Sequence, residues 1–247
     1  MDRLIYSSLT AMRGAMARQT ATANNIANVE TPGFRADIAK AEALWLRGGP
    51  VEARAMARES VVAADMRSGT VVATGRDLDI AIEGDALLSI QAENGDEAYT
   101  RRGDLQISSD GLLTTGDGRP VLGVGGPIIV PPADSISVDA EGRINIVPQG
   151  GDSAQPQEIG RLKLASPVGS DVVKGIDGAF RVRGNGILPV DPDARVITRS
   201  LEGSNVNATT ALVDMIEASR SWDTQIKLIG DARDMDAATA DLMRLPQ

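Results

Sequence analysis

The chain contains neither histidine nor cysteine among its 247 residues. A Ser-His-Asp or Cys-His catalytic arrangement is therefore impossible, and so is a zinc or copper site built on imidazole or thiolate ligands. The commonest general acid–base side chain is missing as well. Aromatic residues make up only 2% of the chain, so we expect an aliphatic core. The composition predicts a protein that is not an enzyme, with no catalytic residue, cofactor or metal centre.

Basic residues are also in the minority, with 25 Lys and Arg against 34 Asp and Glu and a net charge of −9. This balance argues against nucleic acid, whose affinity depends on clustered Lys and Arg, and against attachment to an anionic membrane. No apolar run reaches the roughly 18 residues of a membrane span. Arg3, Arg13 and Arg18 interrupt the short apolar runs at the N-terminus. We expect no membrane insertion, and export without a cleaved signal peptide.

The N-terminal stretch repeats apolar or near-apolar positions in alternating steps of four and three residues. This spacing is typical of a coiled-coil seam rather than the broader stripe of a core-facing helix. The pattern ends at Asn28, and Thr31-Pro32-Gly33 biases the backbone away from the α region. We predict a helix and a sharp turn within residues 1–34. The seam consists of Ile5, Leu9, Met12, Met16, Gln19, Ala23 and Ile26.

A second seam with the same alternation lies near the C-terminus, after an N-cap at Asn205 or Asn207, and its period breaks at Gly230. One interpretation is that both helices pack on the rest of the same chain. We favour assembly with other copies, because a lone helix pair makes a thin core. The net charges of residues 1–28 and 205–247 are +2 and −3, and these opposite signs support pairing of the helices. The second seam consists of Ala208, Leu212, Met215, Ser219, Trp222, Ile226 and Ile229.

Between the two ends the apolar period changes to two, in short runs separated by turn dipeptides such as Asn94-Gly95 and Asp110-Gly111. This pattern predicts an antiparallel all-β domain of sandwich or barrel-like form. The fold class is α+β, with a discontinuous helical module of paired N- and C-terminal helices around that central domain. Ala39 to Leu46 favours a short helix. The predicted divisions are 1–34 (helix and turn), 35–76 (extended connector), 77–165 (β domain), 166–200 (returning connector with β pairing) and 201–247 (helix).

Paired carboxylates are the basis of glycoside hydrolysis, and Glu83 with Asp85 provides such a pair. With 34 acidic residues in the chain this signal is close to background. A peptidoglycan-active enzyme on the β domain is therefore a remote alternative.

Two terminal motifs resemble the signatures of flagellar rod and hook proteins. ATANNIANVETPGFR (21–35) resembles the N-terminal signature, and LEGSNVNATTALVDMIEASRSWD (201–223) resembles the C-terminal one. LDIAIEGDALLSI resembles the β domain of the same family, although Ala86-Leu87-Leu88 stands where Gly-Phe-Phe is common. The opening MDRLIY and the length are most similar to proximal-rod members, with a distal-rod or hook-type protein as the alternative. The motif positions are Asn24, Asn25, Ala27, Asn28, Thr31, Gly33, Phe34, Leu201, Glu202, Ser204, Asn205 and Val206.

The resemblance implies a structural subunit of the bacterial flagellar basal-body rod within the periplasm. Members of the family polymerise axially through their terminal helices, which form an inner layer, and the rod transmits torque. The implied partners are other copies of the chain, proximal and distal rod proteins, and the flagellar type III export apparatus. The two seams are then the expected assembly interface.

Overall fold

The computed structural model describes residues 2–45, 55–151 and 155–242. They form two compact units, each assembled from segments that are distant in sequence. Two helices and a central antiparallel β-rich region confirm the α+β class. The helical unit comprises Met1–Ala27, Asp37–Ala63 and Asn207–Gln247, and the β unit comprises Asn28–Ala36 and Ala64–Val206.

The helical unit contains two helices and two strands. Helix α1 (Asp2–Ala27) and helix α2 (Ala208–Leu242) pack against each other. Strand β1 (Asp37–Trp45) contacts α1 and pairs with β2 (Ala55–Ala64). Within the described residues, neither helix is long and apolar enough to cross a membrane.

The sequence analysis was wrong about one local element and left a second undecided. The short helix expected from Ala39 is absent, because Asp37–Trp45 forms β1. Helical propensity is a weak preference, and strand pairing with β2 outweighs it here. Helix α2 continues through Gly230 to Leu242, so the change of apolar period there does not end the helix.

The β unit consists of short strands joined by tight turns, as the period-two pattern predicts. Its strands are β3 (Val71–Ala73), β4 (Ile80–Ile82), β5 (Leu87–Gln91), β6 (Glu97–Thr100), β7 (Leu105–Ile107), β8 (Leu113–Thr115), β9 (Leu122–Gly123), β10 (Gly126–Pro127), β11 (Ala133–Val138), β12 (Arg143–Pro148), β13 (Gln157–Arg161), β14 (Leu164–Ala165), β15 (Val172–Lys174), β16 (Phe180–Val182), β17 (Val196–Thr198) and β18 (Ser200–Glu202).

These strands pair antiparallel in several small sheets. The largest has the order β14-β5-β6-β16-β15, and a three-stranded sheet has the order β11-β12-β13. Four two-stranded sheets join β10 with β9, β17 with β4, β18 with β3 and β7 with β8. In the part of the chain that the structure describes, the strands do not close into one barrel.

The core of the β unit is mainly aliphatic. Its larger cluster of buried side chains includes Ile80, Leu88 and Ile144, and within the described residues this cluster contains no aromatic side chain. A smaller cluster packs around Tyr99 and Phe180. An aliphatic core is what the low aromatic content predicts.

Candidate assembly interface

The buried side of α1 is formed by small residues. Gly14, Ala15 and Ala21 are buried, while Met16 is 55% exposed and Leu9 is exposed as well. Small side chains allow close approach of neighbouring backbones. The larger apolar side chains of the predicted seam therefore contribute little to the interior of the helical unit.

Helix α2 shows the same separation of side-chain sizes. Its buried residues in the described range are Ala211, Ala218 and Ala232, which are spaced by seven and fourteen residues. This spacing places them on one face, as in a heptad pattern. Exposed large apolar residues line the rest of the helix: Leu212, Val213, Ile216, Ile226, Leu228 and Met235.

The predicted seam residues fall into two groups. Exposed are Leu9, Met16, Gln19, Ala23, Leu212 and Ile226, whereas Met12, Ile26, Met215, Trp222 and Ile229 are partly buried. The side chain of Ile5 lies outside the described residues. The partly buried members of α2 alternate with the buried alanines in steps of three and four, so half of the predicted α2 seam faces inward.

Two asparagines of the N-terminal motif connect α1 to the start of β1. The side chain of Asn25 accepts a hydrogen bond from the Asp37 amide at 2.7 Å and donates one to the Asp37 carbonyl at 3.0 Å. Asn24 donates to the Asp37 carboxylate. The last turns of α1 thereby hold the first residue of the strand in place.

The turn residues of both motifs meet within the β unit. Thr31 donates to the Asn28 carbonyl and side chain, which forms the turn after α1. The Gly33 amide donates to the Glu202 carbonyl at 2.7 Å, and the Asn205 amide donates to the Phe34 carbonyl at 3.2 Å. The two motifs, which are separated by most of the chain, are therefore one structural element.

A buried ionic network lies at the centre of this element. One Glu202 carboxylate oxygen is 2.7 Å from Arg35 Nη1, and the other is 2.6 Å from Arg101 Nη2. Arg101 also donates to the carbonyls of Ile82, Gly84 and Ala86. The Arg35 contact is an ion pair without an aligned hydrogen bond. Buried charges persist only where they are paired in this way.

The environment of Glu202 favours its ionised form. Burial raises the pKa of its carboxyl group, but the Arg35 and Arg101 guanidiniums and the Gly69 amide lower the pKa by more. The Gly69 amide donates to Glu202 at 2.8 Å. The net pKa is below the ordinary value of 4.5, so the network stays charged near neutral pH.

The two candidate N-caps have different roles. Asn207 Oδ1 accepts a hydrogen bond from the Thr210 amide at 3.0 Å, which makes Asn207 the cap of α2. Asn205 instead accepts from the Ala36 amide and donates to the carbonyls of Asp65 and Arg67. Of the remaining motif positions, Ala27 ends α1, Leu201 pairs with Val72, and Ser204 accepts from the Val206 amide.

Sequence reasoning missed Arg35 and Arg101, the two cations of the network. Arg35 directly follows the N-terminal motif, and Arg101 follows β6. The available signal was Glu202 itself: an acidic residue in a strand that becomes buried needs a cationic partner. The sequence offers 25 candidate cations, and only the fold selects among them.

No group of three or more potential metal-ligating side chains occurs in the described residues. Glu83 and Asp85, the carboxylate pair considered for glycoside hydrolysis, are both exposed.

Models of three protein families match the chain in order. "Flagella basal body rod protein" matches residues 5–35, "Flagellar hook protein FlgE/F/G D1 domain" matches 81–146, and "Flagellar basal body rod FlgEFG protein C-terminal" matches 198–242. They cover both helices and much of the β unit. These matches define a structural protein of the flagellar rod and hook class, which is non-enzymatic.

Full-length relatives narrow the class. The chain is 39% identical over 241 residues to the flagellar basal-body rod protein FlgF of Escherichia coli, covering 95% of each chain. It is 36% identical over 251 residues to FlgF of Salmonella typhimurium, covering 99% of this chain and 100% of that one. FlgG of Bacillus subtilis is 29% identical over 255 residues, with coverage of 93% and 94%. The chain belongs to the flagellar basal-body rod protein family, is FlgF-like, and is a structural rod subunit of the basal body.

Proposed function

We propose that the chain polymerises along the rod axis through the outward faces of α1 and α2, in contact with its own copies and with other rod proteins. The separation of side-chain sizes carries this proposal: buried residues are small, while Met16 and Ile226 are 55% and 49% exposed. Exposed apolar residues along helices are typical of surfaces that dock further helices. A contact whose rotation does not close produces a helical filament, as a rod requires.

We further propose that the helices gain much of their stability on docking. Among the described residues of α2, three alanines are the buried apolar side chains, and such a helix derives little stability from its own chain. Close-packed helical contacts in the filament would then provide the stiffness that torque transmission needs. Hydrogen exchange of the monomer and of isolated rods tests this step: strong protection of α2 in the monomer, equal to that in the rod, would contradict it.

The position and route of the subunit are part of the same proposal. We place it in the proximal rod within the periplasm, because its identity to two FlgF proteins exceeds its identity to FlgG of Bacillus subtilis. Delivery through the flagellar type III export apparatus fits a chain without thiols that would need oxidation. Site-specific crosslinking to neighbours in isolated basal bodies distinguishes a proximal from a distal position.

Substitutions on the outward faces test the interface. We expect Ile226→Asp and Met16→Asp to abolish incorporation into basal bodies of a host that lacks its own copy of the gene, because each places a charge in an apolar contact. Ile226→Leu is the matched control and should restore swimming. Near-UV circular dichroism would verify that the β unit of each variant is folded. Normal incorporation of both aspartate variants would refute the proposed interface.

A further inference from the structure

A cleft of about 410 Å³ lies within the β unit beside the buried ionic network. Arg35 and Arg101 form part of its wall together with Asp85 and Asp171, and Met66, Pro167 and Val168 add apolar surface. Val168 is 76% exposed. The cleft therefore combines buried guanidiniums with a partly apolar, accessible mouth.

The two arginines of this cleft differ in how far their donors are satisfied. Arg101 donates to Glu202 and to three main-chain carbonyls. Arg35 contacts Glu202 through Nη1, but its buried Nε has no hydrogen-bond partner among the described residues. A buried donor without a partner is costly in free energy, and a guanidinium donates most favourably to a carboxylate.

The charges around the cleft favour an anion. Its lining residues and their direct contacts include four cations, Arg35, Arg101, Lys174 and Arg183, and three anions, Asp85, Asp171 and Glu202. The local balance of four minus three is +1, although the whole chain carries −9. Asp171 is itself paired with Arg183 at 2.7 Å, which weakens its repulsion of an incoming carboxylate.

We propose that this cleft binds a carboxylate side chain, an Asp or Glu, from an adjacent subunit of the rod. The carboxylate lies against Arg35, and the apolar residues at the mouth pack against the surrounding surface of that subunit. Exposed apolar groups beside a charged cleft favour a protein side chain over a free anion. The identity of the partner rests on the proposed rod function, whereas the carboxylate chemistry does not.

Binding of a small side-chain mimic to the full-length chain tests the chemistry. The probe is N-acetyl-glutamate amide, and N-acetyl-glutamine amide is its neutral counterpart, both titrated at constant ionic strength and followed by NMR. We expect a dissociation constant of about 1 mM for the glutamate compound and binding at least about tenfold weaker for the glutamine compound. Equal binding of the two compounds, or no binding of either, would overturn the proposal.

A variant that leaves the ionic network intact locates the site. Val168→Trp fills the mouth of the cleft, and we expect it to weaken binding of the glutamate compound at least about tenfold, as loss of one well-placed contact does. Val124→Trp is the matched control, since Val124 is 65% exposed and does not line the cleft. Unchanged binding by Val168→Trp would show that the compound binds elsewhere.

Photo-crosslinking identifies the partner. A photoreactive amino acid at position 168, introduced into the full-length chain in cells, should crosslink to an adjacent rod subunit at a peptide containing Asp or Glu. The same amino acid at position 124 is the comparison. Binding of the glutamate compound together with basal bodies that contain the chain but lack a crosslink from position 168 would refute the subunit contact. Absence of the chain from basal bodies would instead refute the proposed rod function.

Discussion

The carboxylate of Glu202 lies 2.7 Å from the guanidinium of Arg35, and each side chain is only 1% exposed. Arg35 follows the turn after α1, while Glu202 ends β18, shortly before α2. One buried ion pair thus joins the chain segments that lead out of the first helix and into the second. Removing these charges from water is costly, and mutual pairing offsets that cost.

Glu202→Gln should destabilise the β unit strongly. The substitution leaves the guanidiniums of Arg35 and Arg101 buried without a counter-charge, so we expect a loss of about 3–5 kcal/mol in the free energy of unfolding. Urea denaturation of the full-length chain measures it. Glu83→Gln is the matched control, because Glu83 is exposed, and it should change stability by less than about 0.5 kcal/mol. Similar losses in both variants would argue against the network.

The same network predicts acid sensitivity. The folded-state pKa of Glu202 is lowered from 4.5, so its stabilising contribution is fully present above the unfolded-state pKa and is lost as pH falls through the folded-state pKa. We expect the unfolding free energy to decrease as pH is lowered from about 5 to about 2. Glu202→Gln should reduce this slope without removing it, since a hydrogen bond from Arg181 lowers the pKa of Asp177 as well. An unchanged slope in Glu202→Gln would contradict the assignment.

Gly33→Ala should be more harmful than an ordinary glycine substitution. Gly33 has φ +67°, and a Cβ there would lie 2.3 Å from the Arg101 carbonyl carbon and oxygen. Gly118 has φ +84° with nothing within 4 Å of a Cβ, so Gly118→Ala measures backbone strain alone, about 1–2 kcal/mol. We expect Gly33→Ala to cost a further 1–3 kcal/mol, roughly the cost of overpacking. Equal thermal shifts in the two variants would exclude the clash.

The two asparagines near the start of α2 should respond differently to alanine substitution. Asn207→Ala removes the helix cap, so we expect a loss of about 1 kcal/mol that is confined to the first turns of α2. Hydrogen exchange resolves this local effect. Asn205→Ala removes contacts with Ala36, Asp65 and Arg67 and should instead destabilise the β unit in urea denaturation. Fraying of α2 in the Asn205 variant alone would reverse these assignments.

Periodicity predicted the regular elements because it reflects burial directly. The step pattern up to Ile26 and the turn at Thr31-Pro32-Gly33 place the end of α1 close to Ala27, where the structure ends it. Period-two runs likewise predicted strands such as β5 and β12. The exception was β1, whose alanine-rich sequence favours a helix in isolation and becomes a strand through pairing with β2.

By itself, the sequence determined the α+β class, the aliphatic core and the rod-protein motifs, because composition and short-range spacing encode these features. Only the tertiary structure decided which of the seam residues are exposed and which cations neutralise Glu202. It also showed that Asn207, rather than Asn205, caps α2. Those features depend on contacts between segments distant in sequence, and local spacing cannot specify which of 25 cations folds against one buried carboxylate.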